Sequence, residues 1–236
     1  MKLRIAAAAL ALAACRGEQP AAPPAGPEGK PELHLLTSLP LAFGEGFVLD
    51  APKHPALAAL EQHFAVTLVD GPEALPPGGL LLAVQPQALT AERLVALDRW
   101  VRQGGRLLLL ADPRLVWDSS RPLGDRFRPP YAFPDTGLLQ HWGLQLGVDP
   151  AASGPALRQL GRREVLTASP GRLSSSGRAC AFSADSLVAR CQIGRGHAVV
   201  VADADLVQAG VEGGLDGPTG NNHPALVAEL QALRTR

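Results

Sequence analysis

The chain has 236 residues, 46% of them hydrophobic, and its 22 basic residues are balanced by 22 acidic ones. That much apolar material can close a substantial core, which excludes a disordered chain. The balanced charge, with no basic run and no stripe of interleaved basic and aromatic residues, argues against nucleic acid as a partner.

The chain begins with Met1-Lys2-Leu3-Arg4, a positive start, followed by an unbroken apolar run over residues 5–14. The run is too short to span a bilayer, which takes about 20 apolar residues, so it reads as the apolar centre of a cleaved secretory signal. It ends in Leu12-Ala13-Ala14-Cys15, which resembles the lipobox of bacterial lipoproteins at every position. The resemblance implies that Cys15 becomes the first mature residue, with a diacylglycerol on its sulfur and an acyl chain on its amine. Several acyl chains hold a protein firmly where one would not. The expected location is therefore membrane-anchored, facing the periplasm. Arg16 is not the aspartate associated with inner-membrane retention and so points to the outer membrane, whereas a transporter role points to the inner one. Both stay open.

Loss of Lys2 and Arg4 with the signal leaves 20 basic residues against 22 acidic ones. Residues 15–31 are then a lipidated tether, rich in proline and glycine and without an apolar face. A single α/β domain is expected over residues 32–236. Three short segments, residues 80–84, 107–111 and 198–202, are aliphatic throughout and suit strands buried on both faces of a parallel sheet. Residues 33–36 and 65–69 are two further strands. Helical spacing places Leu57, Leu60 and Phe64 on one face over residues 55–64. It does the same for Leu94, Leu97 and Val101 over residues 90–103, with Thr90 as cap and Gly104 as stop. Alternating strands and helices predict a sheet wound with helices on both faces.

Residues 114–134 show no period, and long irregular connections in compact domains are often functional or mobile. A short helix is expected at 137–142 and antiparallel β additions at 162–193. In the latter, Asp185-Ser186 read as a two-residue turn would put Cys180 opposite Cys191, close enough to bridge. An exported protein keeps such a bond; the alternative is two free thiols. A closing helix is expected at 224–233, with Asn222 or His223 near its start.

The segment from Leu89 through the paired Gly104-Gly105 to Asp112-Pro113 combines a helix, two glycines and an aliphatic strand ending in Asp-Pro. It resembles the auxiliary domain of gliding-motility-type ABC transport systems. Leu138 to Leu146, Gly194 to Asp203, and Asn221-Asn222 agree with that family in order and spacing, although no membrane helices follow the domain here. The resemblance implies a flavodoxin-like, mostly parallel sheet related to class I glutamine-amidotransferase-like domains. The members of that family mostly have no established chemistry; taken with an elbow that lacks a nucleophile, the favoured reading is a non-catalytic, lipid-anchored binding or assembly subunit of the envelope, accessory to an ABC-type transport system.

Amidotransferase chemistry needs a nucleophile at a sharp strand-to-helix elbow and a histidine to take its proton. The loop after the third strand is Val84-Gln85-Pro86-Gln87, which has neither cysteine nor serine, and nothing marks a choice among Ser38, His34 and Asp112. The six histidines are dispersed and lack zinc spacing. Asp203-Ala204-Asp205 resembles a fragment of an oxygen-ligand loop, but two carboxylates do not make a calcium site. No metal or cofactor is therefore expected. In open α/β sheets ligands bind at the carboxyl ends of strands. The residues there, Thr37, Ser38, Asp112, Asp203 and Asp205, form the candidate recess for a ligand or partner; helix capping and turn formation are the plainer roles for them. The second functional reading is an envelope hydrolase built on these same residues.

Overall fold

The computed structural model describes residues 29–46, 53–152, 154–177, 179–208 and 222–236. Cys15, the signal, most of the tether, and Asn221 lie outside the described residues.

In chain order the elements are β1 (Glu32–Thr37), α1 (Pro55–His63), β2 (Ala65–Leu68), β3 (Leu80–Val84), α2 (Ala91–Arg102), β4 (Arg106–Leu110), α3 (Leu138–His141), β5 (Leu144–Val148), β6 (Ala156–Leu160), β7 (Arg163–Thr167), β8 (Gly171–Ser175), β9 (Cys180–Phe182), β10 (Val188–Ile193), β11 (Gly196–Val201) and α4 (His223–Arg234). The main sheet has the order β2-β1-β3-β4-β11-β10-β9. Its first five strands run parallel, and β10 and β9 extend it antiparallel. This is the flavodoxin-like α/β class. The chain steps one way from β1 to β2 and the other way from β3 to β4. Right-handed crossovers therefore put α1 and α2 on opposite faces. Helix α4 packs against α1, β3 and β4, on the face of α1.

The aliphatic runs make the core for the expected reason. Every residue of β3 and β4 is buried, whereas the edge strand β2 keeps Thr67 and Leu68 exposed. Each fully buried leucine contributes about 1.5–3 kcal/mol relative to leaving it in water. Helix α2 begins as expected, with the Thr90 hydroxyl accepting from the Arg93 amide at 3.4 Å. It stops at Gly104, whose φ of +113° few other residues adopt. Trp100 also belongs to its buried face, its indole donating to the Pro76 carbonyl at 2.8 Å. Helix α1 is capped by His54, whose Nδ1 accepts from the Ala56 amide at 3.2 Å, with Pro55 opening the first turn.

Two local expectations change. The hairpin has the expected register, Cys180 opposite Cys191, and a disulfide joins them. Its turn is nevertheless longer than two residues. The Ser183 amide still donates to the Val188 carbonyl at 2.8 Å, and the Asp185 carboxylate collects the Ser183 hydroxyl and the Leu187 amide. The antiparallel additions also start earlier than residue 162, since β5 pairs with β8 and β6 with β7. Asn222 is not a side-chain cap for α4. Its carboxamide bonds the Leu166 amide, the Leu166 carbonyl and the Leu206 carbonyl, each at 2.8 Å, and so ties β7 to the turn after β11.

Candidate functional site

The carboxyl ends of the parallel strands carry two separate arrangements, and the five expected recess residues divide between them. Thr37 and Ser38 border an open recess. Asp112, Asp203 and Asp205 are buried, 0%, 0% and 1% exposed, and no partner could touch them from solvent. The expectation of one shallow recess formed by all five is thus corrected. The physical reason is that the Asp112, Asp203 and Asp205 strand ends are central and are roofed over. The irregular segment 114–134 crosses them through Leu115 to Tyr131 and Phe133 to Asp112 backbone bonds, and Gly171 bonds the Ala202 carbonyl.

The recess, about 370 Å³, lies where β1, β2 and β3 end. The chain passes from β1 to either side of that strand here, the switch point at which open α/β sheets accept ligands. Thr37, Ser38, Phe43, Gln87, Arg126 and Phe127 are among its lining residues. Thr37 Oγ1 accepts from the Leu39 amide at 2.9 Å and turns the chain out of β1, and the Ser38 hydroxyl donates to the Gln85 carbonyl. Gln87 holds the outer loop by donating to the Arg128 carbonyl at 2.9 Å. The Arg126 guanidinium lies over the Phe127 ring, 4.4 Å from its centroid.

Gln85 occupies the elbow directly after β3, with a φ of +41°, one of two positive values at non-glycine residues among those described. Its carboxamide is fully engaged: Oε1 accepts from the Asp112 amide at 2.8 Å, and Nε2 donates to the Asp112 and Pro130 carbonyls at 3.1 Å. The sharp turn that would present a nucleophile instead clamps the end of β4. Among the described residues no histidine hydrogen-bonds Ser38, so the Ser38, His34 and Asp112 combination is not assembled. His34 is buried within β1 with Nδ1 unpartnered.

Beneath the roof, Asp112, Asp203 and Asp205 each place a carboxylate oxygen within 4.8 Å of the other two. Backbone amides hold both oxygens of Asp112, Arg114 on Oδ1 at 2.7 Å and Ala204 on Oδ2 at 3.2 Å, and one oxygen each of Asp203 and Asp205, Leu206 on Asp203 Oδ1 at 2.8 Å and Val116 on Asp205 Oδ2 at 2.8 Å. Ser169 Oγ lies within 2.8 Å of Asp205 Oδ2 and of the Arg114 carbonyl, and 3.3 Å from Asp112 Oδ2. One hydroxyl proton serves only one of these acceptors.

Burial pushes the Asp112 carboxyl up to about 7, helped by the Asp205 charge and opposed by the Arg114 and Ala204 amides and Ser169. Burial raises Asp203 well above the usual range, reinforced by Asp112 and Asp205. The Leu206 and Ala168 amides act against that rise. Burial raises Asp205 too, against bonds from Val116, Ser169 and Asp112. Three like charges cannot share this space unless protons or a cation accompany them.

The strand-end aspartates are legible in the sequence, where only Asp203 and Asp205 lie close together. Asp112 joins them because β4 pairs with β11, across 92 positions of chain. Ser169, between β7 and β8, carried no signal at all, since an isolated serine beside a proline reads as a turn.

No family model and no curated protein matches the chain. Among solved structures it is similar to the exo-beta-1,4-mannosidase Op5Man5 from Opitutaceae bacterium strain TAV5, at 15% identity and a TM-score of 0.45, over 87% of this chain and 34% of that one. It is similar to the N-terminal domain of mmIFT52 at 12% identity and a TM-score of 0.49, over 86% of this chain and 97% of that one. A beta-galactosidase from Bacillus circulans sp. alkalophilus gives 15% identity and a TM-score of 0.45, over 86% of this chain and 31% of that one. The chain thus spans about a third of the two glycosidases. At these scores the likenesses carry no inference about activity.

Proposed function

We propose that this chain is a non-catalytic, lipid-anchored binding subunit of the bacterial envelope that receives a ligand or partner segment in the switch-point recess. The observation that carries the reading is Gln85. A neutral carboxamide cannot attack a carbonyl, and here it is held by three backbone groups at the place where related chemistry needs a nucleophile. Beside it lies an open recess with aromatic, hydroxyl, amide and guanidinium groups, the mixture typical of recognition sites. Attachment through Cys15 rests on the Leu-Ala-Ala-Cys ending. Among the described residues, no helix is long and apolar enough to cross a membrane. A role beside an ABC-type transport system rests on the sequence resemblance alone.

The test joins anchor and recess in one experiment. A photo-crosslinking residue replaces Phe43 in the full chain, and membranes are irradiated and fractionated. The reading predicts one discrete adduct in the membrane fraction, lost when Arg126→Glu reverses the charge at the recess, and a chain released from membranes or left unprocessed in Cys15→Ala. Wild-type protein recovered soluble with an unmodified Cys15 contradicts the anchor. Labelling unchanged by Arg126→Glu contradicts the recess.

A further inference from the structure

We propose that Asp112, Asp203 and Asp205, together with the Ser169 hydroxyl, form a buried site for a divalent cation that prefers oxygen ligands, with Ca²⁺ as its best fit. The site is separate from the recess and stands whether or not the recess binds anything. Its first support is convergence: three carboxylates from the ends of β4 and β11 offer oxygens within 4.8 Å of one another.

The second support is independent of that clustering. Asp203 Oδ2 and Asp205 Oδ1 are enclosed, yet neither has a hydrogen-bond partner. Asp203 and Asp205 are 0% and 1% exposed, so water does not replace the missing partner from outside. Leaving an enclosed carboxylate oxygen unsatisfied is costly, and a cation satisfies both at once. The partner oxygens of the same two carboxyls are fixed by the Leu206 and Val116 amides, which orient the free ones as second-shell bonds orient metal ligands. No ion pair among the described residues reaches any of the three, so no side-chain cation already fills the role.

The donor set selects the ion. It contains oxygen only, with no imidazole or thiolate, which disfavours zinc and copper. Ca²⁺ binds oxygen at about 2.3–2.6 Å, so opposite ligands sit roughly 4.6–5.2 Å apart, and it accepts irregular geometry. Mg²⁺ needs ligands at about 2.0–2.1 Å in a near-ideal octahedron and gives up water reluctantly, which suits an enclosed site less well. The Arg114 carbonyl, 2.8 Å from Ser169 Oγ, is a further oxygen beside the cluster. A bound ion would join β4, β11, the turn after β7 and the roof at a single point, as a structural element.

The test uses the full chain in detergent, purified without added metal and assayed for metal by mass spectrometry. It is then stripped with chelator and melted with Ca²⁺, Mg²⁺ or Zn²⁺ alone. The expected results are one Ca²⁺ per chain and a rise in Tm of about 5 °C or more in millimolar Ca²⁺. Mg²⁺ should give a smaller rise and Zn²⁺ none. Asp203→Asn should abolish the Ca²⁺ response. Should that variant fail to fold, Ser169→Ala is the gentler change and should weaken Ca²⁺ binding about tenfold or more. Wild-type protein with no bound metal and no Tm response to Ca²⁺ overturns the site and leaves the carboxyls sharing protons. A response selective for Mg²⁺ or Zn²⁺ overturns the choice of ion.

Discussion

His54 shows how one side chain couples pH to the fold. It caps α1 only as a neutral ring, because Nδ1 must accept the Ala56 amide. Burial lowers its pKa to about 4, with the charge of His223 acting in the same direction. An unfolded chain therefore takes up the proton first as pH falls below the usual histidine value of about 6.5. The neutral-cap stability is complete above that value and is lost progressively down to about 4. The ring is partly exposed, so solvent screening reduces the effect to about 1 kcal/mol. Melting curves across this range should show the loss in wild type and its absence in His54→Asn, which caps without titrating. Equal acid slopes in the two proteins would assign the loss elsewhere. None of this could be read from the sequence, where His54 was one of several scattered histidines. Cap and burial both depend on how α1 meets Trp117, whose ring lies 5.7 Å from that of His54, and α4.

At the scale of elements, the local signals were strong where burial was simple. Leu80–Val84 coincides with the expected third strand, and Arg106–Leu110 and Gly196–Val201 fall within one or two residues of theirs. Their aliphatic runs fix them regardless of neighbours. The hairpin register was legible because the two-residue turn at Asp185-Ser186 and the longer turn observed are centred on the same point, so both pair Cys180 with Cys191. What stayed hidden was contact between distant elements. Gly196 is an example, since in sequence it reads as a turn residue before a strand. In the fold, a methyl group there would overlap the carbonyl oxygens of Val101 and Gly105, because β11 starts against the end of α2. Gly196→Ala should therefore cost about 2–3 kcal/mol as an overpacking change, measured by urea unfolding, with the α/β content of the folded protein unchanged. A loss below about 0.5 kcal/mol would mean that α2 can move away from the strand. The enclosure of Asp112 with Asp203 and Asp205, and the part of Ser169, were hidden for the same reason, because the partners lie on strands and turns far along the chain.

For the whole molecule, the sequence pattern carried the architecture further than it carried the site. Alternating strands and helices give a wound, mostly parallel sheet, and handed crossovers give the face of each helix once the strand order is known. Which polar residues meet at the strand ends also depends on how residues 114–134 close over β4 and β11, a segment with no period to read. That roof makes the difference between one recess of five residues and the observed pair of arrangements, an open recess at β1 to β3 and an enclosed acidic cluster at β4 and β11. It also removes the three carboxyls from any substrate, so a hydrolase would have to depend on groups that line the recess, among them the Thr37 and Ser38 hydroxyls and the Glu45 and Asp70 carboxyls. Recognition without catalysis has a kinetic consequence. Its most direct test is turnover of ester, amide and glycoside substrates by the full chain, beside Ser38→Ala prepared identically. Rates at the buffer background are expected for both proteins. Turnover by wild type above background would contradict that expectation, and loss of that turnover in Ser38→Ala would place the hydrolase chemistry on that hydroxyl.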